Sequence, residues 1–256
     1  MKYSHSRKCQ KNLCLSFFLI WPCLVFSQEE FLNDLKDSIS ANLNNEEIHP
    51  FRNLSELDSL GGNPEERYLH LTEADFLVVA KELDIEVAAI KAVVEIEAGA
   101  AMKGFWAPGI PEINFDTTMY SKYKSKAESK EGAKDEKVPA GLKGYALKEW
   151  TQLINARKTN AMGANLGTFW GMFQIGGFNY KLCGCSNVNE FVRRMAFSEL
   201  EQLQLFAAFI SNTGMVKYLQ NKDWSGFARR YNGPSYAKRG YHTKMAKAYA
   251  KYSNKN

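Results

Sequence analysis

Histidine is scarce in this chain, 4 in 256 residues, and cysteine nearly so, at 5. Cys9, Cys14 and Cys23 all precede residue 27, which leaves Cys183 and Cys185 for the body of the protein. A disulfide across a single residue closes a strained ring and stabilises little. His49, His70 and His242 do not stand at ligand spacing to that pair, so neither a metal site nor a cofactor is expected. The reading for Cys183 and Cys185 is a turn with two semi-buried thiols. Long apolar runs are lacking too, with one exception at Leu13–Phe26, which argues against a multi-span membrane protein. A composition of 45% hydrophobic and 24% charged residues excludes a collagen, a low-complexity polymer and a wholly disordered chain.

The one apolar run follows Lys2, Arg7, Lys8 and Lys11 and precedes Ser27-Gln28-Glu29-Glu30. A basic start, a short apolar stretch and a small residue before an acidic segment predict an export signal over 1–27, cut after Ser27. The run falls short of the ~20 residues a bilayer span needs, and Pro22 interrupts it, so no stable membrane span is expected after cleavage. The mature chain is then expected outside the cytoplasm, periplasmic or extracellular.

Cleavage removes most of the formal net charge of +5. What remains is polarised: residues 28–100 hold 17 acids and 5 bases, and residues 101–256 hold 11 acids and 24 bases. The basic half carries no nucleic-acid motif, and its lysine runs lie in a mixed-charge stretch at 119–143, read as a solvated loop, so no nucleic-acid partner is expected. Residues 28–70 are acidic and Asn-rich with weak periodicity, and read as a short helix followed by a linker.

From Leu71 the signals sharpen. Thr72-Glu-Ala-Asp75 has the form of a capping box opening a helix to about Leu83. Asp84 is expected to cap a second helix, Ile85 to Ala98, stopped by Gly99. A β-hairpin is predicted over Gly104–Asp116, with Pro108-Gly109 at the centre of a type II turn. Helices are expected near 145–160, 188–211, 214–220, 223–231 and 237–251.

On the second helix, Glu97 lies four residues after Val93 and seven after Ile90, continuing the apolar stripe, whereas Glu95 falls on the polar side within reach of Lys91. A carboxyl on an apolar face near a helix C-terminus is disfavoured as an anion by desolvation and by the helix dipole. It can therefore serve as a proton donor near neutral pH, or pair with one of the C-terminal lysines. In the hairpin, alternation puts Glu112, Asn114 and Asp116 on one face. A helix-end glutamate with a hairpin acid suits the flanking of a glycosidic bond, although Asp116 could equally cap the next segment.

Several segments in order carry a family resemblance. Leu71-Thr-Glu-Ala-Asp-Phe76, Ala92-Val-Val-Glu-Ile-Glu97, Ile113-Asn-Phe-Asp116, Trp170-Gly-Met-Phe-Gln-Ile-Gly-Gly-Phe-Asn179 and, as a closing motif, Phe227-Ala-Arg-Arg-Tyr-Asn-Gly-Pro234 with Tyr236-Ala-Lys-Arg-Gly-Tyr241 resemble motifs of the N-acetylmuramidase family. That family is related to goose-type lysozymes and lytic transglycosylases. The likeness extends from Thr72 to Tyr252, about 180 residues, and suggests one lysozyme-like domain over 71–256.

The resemblance implies an α+β fold, mainly helical, with a small hairpin beside the groove. It implies a monomeric enzyme that takes peptidoglycan glycan strands and cleaves the β-1,4 bond between N-acetylmuramic acid and N-acetylglucosamine. Glu97 would be the general acid and Asp116 the second carboxylate, with Gln174, Tyr231, Asn232 and Trp170 lining the groove. Alternatives from the same residues are a lytic transglycosylase and a catalytically weak peptidoglycan-binding protein. Two departures stand out: Ala98 where the family usually has Ser, and Asp116 where it usually has Glu.

Overall fold

The computed structural model describes residues 70–254. The expected export signal at 1–27 and nearly all of the acidic segment at 28–70 lie outside the described residues. Elements are numbered from the first described helix.

Helix α1, Glu73–Leu83, begins at the expected capping box: Thr72 Oγ1 accepts from the Asp75 N–H, and the Asp75 carboxylate accepts from the Thr72 N–H. Asp84 does not cap the second helix. It is the left-handed C-cap of α1, with φ 51°, a conformation its short polar side chain tolerates. Helix α2 consequently starts later than expected and spans Val87–Ala98, with Glu86 at its N-cap. Ala89, Ile90, Val93 and Val94 of α2 are completely buried.

The hairpin forms but is shorter than the pattern predicts. Strands β1, Phe105–Ala107, and β2, Ile110–Pro111, pair around Pro108-Gly109, where Gly109 takes φ 71° as a type II turn requires. Strand β3, Ile113–Phe115, leaves the hairpin. It pairs antiparallel with β4, Thr168–Trp170, which pairs in turn with β5, Ile175–Gly176. The division falls at Glu112, whose N–H donates to Gly104 O at 2.9 Å while its carbonyl accepts from Gly171 N at 2.7 Å. The true partner of β3 is thus more than fifty residues away in sequence, beyond the reach of a local alternation pattern.

Helix α3, Thr117–Lys124, opens the stretch read as a loop, and 125–143 are irregular. The Lys130 ammonium closes α3 by donating to the carbonyls of Lys124, Ser125 and Ala127, each at 2.8 Å. Helix α4, Gly144–Thr159, is followed by the short α5, Ala161–Leu166, and by a 3₁₀ segment, Gly177–Cys183, neither of them expected. The helix anticipated over 188–211 is two: α6, Val188–Met195, and α7, Glu199–Asn212. Ser198, extended and accepting from the Glu201 N–H, ends one and caps the other. Then come α8, Val216–Gln220, α9, Trp224–Asn232, a 3₁₀ turn at Pro234–Tyr236, and α10, Tyr241–Ser253.

One apolar core joins α1, α2, α4, α7, α9 and α10, with Phe173 stacked on Phe206 at 4.2 Å between ring centres. Helix α10 lies along α2, and from the C-terminal end of α2, which carries Glu97, the chain runs on to β1. Cys183 and Cys185 are buried free thiols. Among the described residues no helix is long and apolar enough to cross a membrane.

Candidate active site

The last turn of α2 presents Glu97 at the edge of the core. Its half-buried carboxyl accepts one hydrogen bond, from Asn232 Nδ2 at 2.8 Å. Burial raises it from the usual carboxylate range to about 7, and the Asn232 bond offsets part of that rise. The lysine-pairing alternative falls to its neighbour instead: Glu95 takes Lys251 Nζ at 2.6 Å and the Tyr252 hydroxyl. Lys91, expected to meet Glu95, meets Glu73 across the α1–α2 contact.

Asn232 ends α9, which starts where the Asp223 carboxylate accepts from the Gly226 N–H at 2.8 Å. Its Nδ2 is committed to Glu97, and its buried Oδ1 has no hydrogen-bond partner among the described residues. Tyr231, one residue before, is held by its own bond: the hydroxyl donates to Phe173 O at 2.6 Å, and the ring stacks on Phe227 at 5.3 Å. Burial first, then the Glu97 carboxylate, drives the Tyr231 phenol far above its usual range, and the same two causes raise Tyr241 at the start of α10. The C-terminus of α2, the end of α9 and the beginning of α10 therefore converge on Glu97. Tyr241 closes the Tyr236–Tyr241 segment of the motif resemblance, and the packing of α10 on α2 brings it to Glu97.

Gln174 sits in the turn between β4 and β5. Its backbone adopts φ 48°, an uncommon conformation for a residue with a side chain, and its Nε2 donates to Gly171 O at 2.8 Å. The same turn offers the Phe173 carbonyl to Tyr231, so Gln174 is tied to the Glu97 corner through Phe173.

Trp170 requires correction. It is 0% exposed, donates Nε1–H to Asn165 O at 3.1 Å and meets Trp150 edge-on at 6.4 Å. With both faces packed it has none to offer a sugar; its place in β4 between β3 and β5 turns it into the core. Asp116 takes its capping alternative: its Oδ1 accepts from the Met119 N–H at 2.8 Å at the start of α3.

A second shifted carboxyl was not among the expected site residues. Glu112 accepts from Trp106 Nε1 at 3.1 Å, and burial followed by the nearby Glu199 carboxylate raises it to about 7. Glu199 is itself buried and accepts from the N–H groups of Gly104 and Leu71 and from His70. Alternation in the hairpin placed Glu112 on the polar face, but its burial and the Glu199 carboxylate beside it depend on contacts distant in sequence, which no local pattern shows.

Comparison with known proteins bears on what this corner does. The search among curated proteins returned no match. The crystal structure of the Burkholderia AP3 phage endolysin superposes with a TM-score of 0.60 at 34% sequence identity, over 78% of this chain and 76% of that one. The N-acetylmuramidase (Muramidase) family pattern matches residues 86–253, from the N-cap of α2 to the last residue of α10. With Glu97, Gln174, Tyr231 and Asn232 all inside that span, the protein is a glycoside hydrolase acting on peptidoglycan, and the chain belongs to the N-acetylmuramidase family.

Proposed function

We propose that this peptidoglycan hydrolase cleaves the β-1,4 bond between N-acetylmuramic acid and N-acetylglucosamine, with Glu97 as general acid. One observation carries the reading: the half-buried Glu97 carboxyl takes a hydrogen bond from a neutral donor, Asn232, and burial raises it to about 7. It can then deliver its proton to the leaving glycosidic oxygen as the C1–O bond breaks. Asn232 Nδ2 stabilises the carboxylate left behind, and Asn232 Oδ1 remains as an acceptor for an N–H of the substrate or an O–H of the attacking water.

Positive charge developing at C1 needs a partner on the opposite face. Because the Asp116 carboxylate is engaged as a helix cap, the acetamido oxygen of the cleaved sugar is the partner we favour. It closes on C1, and water then opens the ring intermediate, its proton returning to Glu97. We further propose that the chain is exported through residues 1–27, which places it with its wall substrate.

Mass spectrometry of the fragments released from purified sacculi tests the reaction. Reducing N-acetylmuramic ends, lost in Glu97→Gln, are the expected products. Exclusively 1,6-anhydro ends would replace hydrolysis with lytic transglycosylation, and binding without release would leave a peptidoglycan-binding protein.

A further inference from the structure

Trp106, Tyr145 and Glu112 form a cluster outside the Glu97 corner that none of the chemistry above uses. Trp106 and Tyr145 are both half-buried and meet edge to face, with ring centres 6.1 Å apart at 89°. The indole orientation is fixed at its other edge by the Nε1–H bond to Glu112. Half-exposed aromatic rings held rigid beside a hydrogen-bonding carboxyl present an apolar face and a polar edge, the pattern a sugar ring matches.

The cluster is joined to the Glu97 corner through the backbone. The Glu112 carbonyl accepts from Gly171 N, and the Gly171 carbonyl accepts from Gln174 Nε2. The next residue back in that turn, Phe173, takes the Tyr231 hydroxyl, beside Asn232 and hence Glu97. We propose that Trp106, Tyr145 and Glu112 form a second glycan-binding wall continuous with the Glu97 corner, in which Glu112 binds sugar as the neutral acid and donates its proton to a substrate oxygen. The proposal deepens the peptidoglycan reading and rests on it for the identity of the sugar.

The surroundings explain why the neutral form is the binding one. Glu199 at the head of α7 brings a carboxylate to Glu112, and Tyr145 on α4 senses both Glu112 and Glu149. The nearby groups from other sources are already engaged: Lys148 lies 3.6 Å from Glu149, and His70 bonds Glu199. An ionised Glu112 would add a second negative charge beside Glu199, and it would lose its only proton to donate.

The test is calorimetric binding of soluble, uncross-linked peptidoglycan glycan strands to the full-length Glu97→Gln protein from pH 6 to pH 9. Glu97→Gln removes the other carboxyl pushed to about 7, so any remaining pH dependence belongs elsewhere. Affinity should fall about tenfold between pH 6.5 and pH 8.5, and adding Glu112→Gln should flatten the profile at the pH 6 affinity. Trp106→Phe keeps an aromatic face but removes the bond that lowers Glu112, so the fall should move to higher pH. Trp106→Ala should weaken binding at pH 6 at least tenfold, with a thermal melt to confirm folding.

A pH dependence that survives Glu112→Gln, or a Trp106→Ala affinity within twofold of the parent, overturns the proposal. Because no turnover is involved, the outcome stands apart from hydrolysis. If wild type released no muropeptides while the Glu112 signature held, the proposed reaction would fail and this wall would remain.

Discussion

Glu97 and Glu112 reach about 7 by the same route, desolvation opposed by one neutral donor, yet they answer to different partners. A carboxyl raised in this way binds more protons in the folded than in the unfolded chain between about pH 4.5 and 7. Stability is therefore lost as pH rises through that window, and the loss persists above it. Glu97→Gln should remove the cost, stabilising the protein by about 2–3 kcal/mol at pH 8 and not at pH 4, while activity falls about 10³-fold. Urea unfolding at the two pH values, beside turnover on sacculi, measures both. Asn232→Ala removes the bond that holds Glu97 down. The descending limb of the pH–rate profile should move to higher pH as kcat drops roughly 10–100-fold. An unmoved limb would mean that Asn232 only packs. Glu97 was legible because a carboxyl interrupting an apolar stripe is anomalous in one dimension. Trp170 admits two readings in the sequence, groove platform or core, because nothing local distinguishes an indole facing one from an indole facing the other, and its complete burial favours the core.

At the scale of elements, Gln202 helps hold the sheets against the helices. Gln202 on α7 bonds Met172 N, Gly104 O and Met195 O, and so pins the hairpin base, the β4–β5 turn and the end of α6 together. Gly104 is what lets the hairpin approach: a Cβ there would stand 2.2 Å from Gln202 Oε1, and three hydrogen bonds keep that side chain from yielding. Gly104→Ala should cost about 2–4 kcal/mol in chemical denaturation and reduce activity with it. Asp116→Ala removes a helix cap and should cost about 1 kcal/mol with turnover changed only a few-fold. A loss of a thousandfold or more would instead make Asp116 the base of an inverting reaction. Element type was readable from capping residues and periodicity, as at Thr72, whereas the cap at Ser198 that splits 188–211 into two helices was not read. The misplaced boundary at Asp84 and the truncated hairpin share another cause: a left-handed residue and a distant strand partner decide them.

Over the whole molecule, the acidic front and the basic back meet. Glu86 and Glu95 of α2 pair with Lys222 and Lys251, contacts at the surface that are worth at most about 1 kcal/mol each. After Asp223 the chain has eight bases and no acid, and the end of α9 and the start of α10 bring part of that stretch beside Glu97. Such a field should draw the protein to an anionic wall, so its association with sacculi should weaken several-fold between about 0.05 and 0.3 M salt. Salt-insensitive binding would remove the steering role. The sequence by itself determined the helical character, the family resemblance and the carboxyl on the apolar face of α2, because capping, periodicity and short motifs are properties of neighbours along the chain. Only the tertiary structure decided which carboxyls lose their water, which indole is sealed in the core and which amide faces Glu97. Burial is set by elements that meet across more than a hundred residues, as Glu97 and Asn232 do.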